Sequence, residues 1–310
     1  MSYTMVEKKL TAGDLVYMDG ATGSELHRRG APMHPLISSA MATMTNPEVL
    51  QRIHEDYIRA GCDIIVTNSF LSSRNVLAAH GLGDEVVPLT RGAVEVALRA
   101  RDRTTGIKEV AIAGSMSHAL PMQAGTTRPD ADKRPSDEEM QLNFHETADI
   151  LSRAGCDFIL LERMSDPQLT LWAQQAAQQT RLPVWIGMSA VDSWNGELLG
   201  DLDHQQPFEE LVDQVAEMSA SACGVMHTHL PIVQPAVDVL RQYWSGPLFA
   251  YPQAGRMSKS AWEFDETLTP EKFARQCVEW ADAGVQVLGG CCGITLSHIQ
   301  AMIGALNRRG

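Results

Sequence analysis

The 310-residue chain, 44% hydrophobic and 20% charged, carries enough apolar material for one large domain or two small ones. Its formal net charge of -13 argues against a nucleic-acid binder, which would present a basic face, and suits a protein kept dispersed by self-repulsion. No apolar run reaches the length of a membrane helix, the N-terminus has no apolar secretory segment, and six cysteines are too sparse for a disulfide framework, so a cytoplasmic chain with reduced thiols is expected.

The chain alternates short apolar runs with helical patterns. Residues 15–19 form an apolar run closed by a carboxylate and a glycine, which reads as a buried strand and a turn. Asn46-Pro47 opens a helix to Ala60, with Val49, Ile53 and Tyr57 at helical spacing, and Gly61 stops it. Residues 62–67 are the second strand, ending at Asn68, and 85–103 the next helix. Residues 110–114 give a third strand. Ser136 then caps a helix to Ala154, with Asp137, Glu138 and Glu139 in the first turn, where the helix dipole favours them. The remaining strands are placed at 158–161, 183–187, 222–226, 247–251 and 285–288, and the helices between and after them at 166–180, 207–220, 233–244, 270–283 and 296–307.

Eight strand–helix units with continuously apolar strands predict a parallel sheet covered on both faces, closed as a (β/α)8 TIM barrel in one domain over 1–310. A doubly wound open sheet is the alternative. In a barrel, reactive groups stand at the C-terminal strand ends. Here those are Asp19, Asn68, Ser115, Glu162, Ser189, His227, Tyr251 and the Cys291–Cys292 pair. The longest connections, 20–45, 115–135, 189–206 and 252–269, leave the same rim. Within them, Gly125-Thr126-Thr127-Arg128-Pro129 is turn-rich, either a mobile wall or plain surface.

The chemistry centres on Leu288-Gly289-Gly290-Cys291-Cys292-Gly293-Ile294. Adjacent cysteines among glycines can present two thiolates to one ion, and a catalytic zinc has three protein ligands and an open position. The pair can equally be reactive thiols or small apolar filling. His227, two strands away around the ring, is the leading third ligand; Cys223, His229 and His118 compete with it. Glu162 reads either as an ion-pair partner of a rim residue such as Arg163 or as a carboxylate for a substrate ammonium, a role open to Asp19 too. Trp185, Trp194 and Trp262 face a cationic ligand or simply pack.

Several segments together resemble the zinc-dependent homocysteine S-methyltransferases, which include the betaine– and S-methylmethionine–homocysteine methyltransferases. Asp19-Gly20-Ala21-Thr22-Gly23-Ser24-Glu25-Leu26 is similar to the family's opening DGAMGTxL. Residues 54–70, HEDYIRAGCDIIVTNSF, resemble HxxYxxAGADxIxTNTF; Leu161-Glu162, Tyr251-Pro252-Gln253-Ala254-Gly255 and Gly289 to Gly293 resemble the strand-four glutamate, YPNAG and GGCCG. The resemblance covers nearly the whole chain. It implies the barrel, a Zn2+ cofactor, and small-molecule partners, a methyl donor and a thiol acceptor converted to methionine. It also implies that Glu162 binds the amino group of homocysteine, and that Asp19, Gly20, Ala21 and Asn68 hold the amino acid and line the pocket.

One departure matters for the chemistry. The family's G-x-N-C segment, which supplies its first zinc-ligand cysteine, reads Gly224-Val225-Met226-His227 here. The implied metal ligands are therefore His227, Cys291 and Cys292, a set with one negative charge fewer than three cysteines. Two alternatives follow from it, methyl transfer to another thiol or selenol, and a binding protein without catalysis. Arg163, an unusual cation beside Glu162, is expected to face outward.

Overall fold

The computed structural model describes residues 2–123, 129–193, 195–200, 206–257, 262–265 and 267–309. The turn-rich residues 125–128 and Trp194 lie outside the described residues. Eight parallel strands form the central sheet: β1 Val16–Tyr17, β2 Ile64–Val66, β3 Ala111–Ser117, β4 Phe158–Met164, β5 Val184–Met188, β6 Ala222–His229, β7 Leu248–Gln253 and β8 Val287–Leu288. Each pairs with its chain neighbour, and β8 pairs with β1. The ring closes where Met18 bridges Ile64 in parallel and the Asp19 N–H donates to the Ile64 carbonyl at 3.1 Å. The closed barrel thus replaces the open-sheet alternative.

Helices Pro47–Ala60, Val86–Arg103, Asp137–Ala154, Pro167–Gln179, Phe208–Ala216, Leu230–Tyr243, Pro270–Asp282 and Leu296–Asn307 follow the strands. Ser136 caps its helix in a reciprocal box with Glu139. The helix expected over 207–220 is shorter, ending at Ala216, and the one expected from 233 starts at Leu230 with Pro235 inside it.

Strand alternation divides the core. Odd residues of β4 and β5's even ones face the helices; Phe158, Leu160, Trp185, Met226 and Phe249 fill the barrel. Trp185 stacks between Phe158 at 4.8 Å and Phe249 at 5.6 Å between ring centroids. Gly224 makes room for this layer: a Cβ there would lie 2.3 Å from the Phe249 ring and its carbonyl oxygen. Trp185 is therefore barrel filling and does not face a ligand at the rim.

An N-terminal helix, Ser2–Ala12, was not among the expected elements. It covers the barrel floor, with Val6 and Leu10 entering the interior cluster and the Tyr3 hydroxyl accepting from Trp185 Nε1 at 3.1 Å. Tyr3, Val6 and Leu10 recur at helical spacing, a signal present in the sequence. The floor is further tied by Asp63, fully buried, which meets Lys9 and Lys108 at 2.8 Å each and the Tyr17 N–H at 2.9 Å. Asp63→Ala leaves two partly buried ammonium groups facing each other. It is expected to cost roughly 3 kcal/mol, seen as a lower melting temperature; an unchanged melting curve would mean that water replaces the carboxylate without loss.

No helix among the described residues is long and apolar enough to cross a membrane.

Candidate metal and acceptor site

β3, β4 and β6 run further than their apolar residues alone suggest, to Ser117, Met164 and His229. Backbone pairing needs no apolar side chain, so the ladder carries polar residues up into the rim. Two of these strands are bulged there. Between Leu161 and Met164, β4 holds one residue more than β5 opposite it, and β6 does the same against β7 between Met226 and His229. The bulges contain Arg163 at φ 61° and His227 at φ 48°, left-handed backbone that non-glycine residues seldom adopt.

The bulge in β6 aims His227. In regular alternation Cys223 and Val225 face the helices and Met226 the barrel, so His227 would turn outward. The extra residue turns it back over the mouth. Thr228 holds this conformation: its hydroxyl donates to the Met226 carbonyl and accepts from the Ala190 N–H, both at 2.9 Å. Thr228→Val should weaken metal binding several-fold by loosening the bulge. Metal affinity equal to the parent's would show that pairing on the flanking residues suffices.

The two thiols sit on a turn packed against β1. The Gly290 N–H donates to the Asp19 carbonyl at 3.0 Å, and Cys291 N–H to the Pro252 carbonyl at 2.6 Å. Gly289 cannot carry a side chain, since a Cβ would lie 2.6 Å from Met18 and 2.9 Å from the Asp19 carbonyl oxygen. Ala21 N–H reaches the Ile294 carbonyl at 2.9 Å, and a Cβ on Gly20 would meet that same oxygen at 2.7 Å. Gly20 and Ala21 thus seat the cysteine turn.

Here the sulfurs of Cys291 and Cys292 stand 3.7 Å apart, and His227 Nδ1 is 3.3 Å from Cys291 Sγ. One donor atom each from His227, Cys291 and Cys292 fall within 4.8 Å of one another, the one such group found among the described residues. Two thiolates at zinc–sulfur bond length on a tetrahedral ion would be about 3.8 Å apart, and a thiolate and an imidazole nitrogen about 3.6 Å. The donor set fits zinc in kind and spacing. The neighbouring Cys292 thiol, then burial, hold the Cys291 thiol well above its usual range, a crowding that a bound cation reverses.

Glu162 is 6% exposed and stands between two partners. Its Oε1 accepts from His227 Nε2 at 2.7 Å, and its Oε2 accepts a hydrogen bond from the Ser115 hydroxyl. Phe70 lies flat against the His227 ring, with centroids 5.1 Å apart and planes 27° apart. Asp19 is fully buried: Oδ1 accepts from the Tyr251 hydroxyl at 2.9 Å and Oδ2 from the Val66 N–H at 2.8 Å. Burial pushes its carboxyl up to about 8 against the pull of those two donors. Asn68 is tied to the wall, donating to the Ser39 carbonyl and Thr43 hydroxyl and accepting from the Ser39 hydroxyl.

The competing ligands are elsewhere. Cys223 lies on the outer face of β6 among the helix-packing residues, turned away from the barrel mouth. His229 is exposed, and His118 accepts the Ser165 N–H at 2.8 Å. Arg163 is exposed, as expected. The sequence marked Ser115, Tyr251 and Phe70 as rim or motif residues without giving them roles. Their hydrogen-bonding and stacking partners are distant in the chain, so spacing carried no signal for those roles.

The model of the homocysteine S-methyltransferase family matches residues 16–306. Homocysteine S-methyltransferase 4 of Zea mays is 25% identical over 314 aligned positions, covering 95% of this chain and 90% of its own length. Selenocysteine methyltransferase of Astragalus bisulcatus is also 25% identical, covering 94% and 92%. The metallated form of the homocysteine methyltransferase MmuM from Escherichia coli superposes with a TM-score of 0.75 at 25% identity, over 94% of this chain and 96% of that one. The match runs from the first barrel strand into the last helix, and this chain belongs to the homocysteine S-methyltransferase family, enzymes that methylate a thiol.

Proposed function

We propose that this chain, working as one barrel domain in the reducing cytoplasm, moves a methyl group from a small sulfonium or betaine-like donor to homocysteine, forming methionine. The observation that carries this reading is the convergence of two thiols and an imidazole beside a carboxylate at one barrel mouth. When bound by His227, Cys291 and Cys292, zinc would act as a Lewis acid that keeps the acceptor sulfur deprotonated at neutral pH. The chain's own residues position the reactants. Glu162, held by Ser115, offers its carboxylate to the acceptor's ammonium. Asp19 and Tyr251 brace the wall that Gly20 and Ala21 continue, and Asn68 fixes the loop across from it. All six cysteines are free, which suits a thiolate site in a reducing compartment.

A second acceptor class has support as well. Both Glu162 oxygens already have partners within the protein, which weakens the case for a site built only around an α-ammonium. One relative is named for selenocysteine. The deciding experiment loads purified protein and its His227→Ala variant with zinc, then assays methyl transfer from S-methylmethionine and betaine to homocysteine, selenocysteine and thiols lacking an amino group. About one zinc per parent chain, weakened in the variant, with homocysteine the best acceptor, is the expected result. Faster transfer to another thiol or selenol would select the second reading. No zinc in the parent after reconstitution would remove both.

A further inference from the structure

The environment of His227 says more about Glu162 than a substrate contact would. An imidazole can bind a metal through only one nitrogen at a time, and the proton on the other fixes which one. In this site, Nε2 lies 2.7 Å from Glu162 Oε1, and a carboxylate is an acceptor only. The proton is therefore on Nε2. Nδ1 then carries the lone pair, and it is the ring nitrogen nearer to Cys291 Sγ, at 3.3 Å against 3.6 Å for Nε2. Three restraints act on the ring together. The β6 bulge, with His227 at φ 48°, sets where its Cβ starts; the Phe70 face sets the plane of the ring; the Glu162 carboxylate sets its rotation within that plane. Glu162 is itself fixed from the other side by Ser115.

We infer that Glu162 is the positioning residue of the metal centre, locking His227 in the Nε2–H tautomer with Nδ1 as the zinc ligand. This rests on the zinc reading above and deepens it. A cysteine at position 227 would have no second polar atom for Glu162 to orient, so the function arises with the histidine. The same carboxylate then serves the metal ligand and faces the acceptor. Ser115 contributes at one remove, by holding Glu162.

The test measures zinc affinity by chelator competition for the parent, Glu162→Ala and Glu162→Gln, each with His227 present and in a His227→Cys background. With His227 present, Glu162→Ala should weaken zinc by about 10- to 100-fold, as loss of an outer partner of a histidine ligand does. Glu162→Gln, nearly isosteric and still able to accept the Nε2 proton through its amide oxygen, should weaken it less, and it separates this effect from misfolding. In the His227→Cys background, Glu162→Ala should not weaken zinc at all. Nitrogen NMR of the zinc-loaded parent should show a proton on Nε2 and none on Nδ1, with mixed signals in Glu162→Ala.

Two results would overturn the inference. One is a Glu162→Ala variant with parental zinc affinity and only a raised KM for homocysteine, which would leave Glu162 a substrate contact alone. The other is equal weakening in both backgrounds, which would make its effect one of general charge. Failure of the zinc reading looks different, since the parent itself would then hold no zinc, or His227→Ala would hold it fully.

Discussion

Cys291→Ala is expected to lose bound zinc and methyl transfer together, while Cys223→Ala keeps both. The contrast follows from where the two thiols point. Cys291 projects into the barrel mouth, 3.7 Å from Cys292 and 3.3 Å from His227. Cys223, three residues before Met226 on β6, is packed between sheet and helices. Removing one of three donors from a thiolate-rich zinc site forfeits a large share of its binding free energy, on the order of a 10³-fold loss in affinity. Turnover should fall with it, because no remaining donor compensates for the missing thiolate. Zinc content after dialysis and single-turnover methyl transfer check this together. Zinc retained by Cys291→Ala at parental affinity would mean that the thiol pair is not the metal site.

The second large effect concerns Asp19, and it appears in stability against pH. Its carboxyl has an ordinary value of 3.8 in the unfolded chain and is pushed up to about 8 by burial in the fold. The folded protein therefore holds this proton through a range in which the unfolded chain has released it. Its contribution is fully present below pH 4, declines as pH rises, and is lost above about pH 8. The full span corresponds to about 6 kcal/mol at most in the metal-free protein. The surrounding Tyr57, Cys62 and Tyr251 are all pushed upward by burial first, so they stay neutral over the same range. Asp19→Asn should remove this decline, because an amide can accept from Val66 and donate to the Tyr251 oxygen without carrying charge. Melting temperatures of metal-free parent and variant at pH 5 and pH 8.5 would show it. Parallel curves would mean that Asp19 ionises at its ordinary pH in the fold.

Much of the architecture was legible in the residues. Continuous apolar runs such as Ile64-Ile65-Val66 and Phe158-Ile159-Leu160-Leu161 belong to strands covered on both sides, and their order with the intervening helices leaves the barrel as the closed solution. Caps marked helix starts where local chemistry forms them, as at Ser136 with Glu139. The cysteine pair, His227 and Glu162 were legible as rim residues because each follows an apolar run. The floor helix Ser2–Ala12 carries its period in Tyr3, Val6 and Leu10 alone, an apolar stripe too short to stand out beside Glu7, Lys8 and Lys9.

What the sequence determined by itself is local in origin: eight strand–helix units, the residues at their ends, and a thiol pair on a glycine turn. The sense in which those residues face was decided by the tertiary structure. Strict alternation turns His227 toward the helices, since Val225 faces them and Met226 faces the barrel. Only the bulge against β7, held by Thr228 and Ala190, brings its ring to Glu162 and Cys291. Likewise Cys223 and Cys291 are the same side chain in the sequence, and opposite faces of the wall separate them. Period and composition describe a strand one residue at a time, whereas a bulge exists only in its pairing with the strand beside it, and that pairing is what brings the His227 imidazole to the thiol pair here.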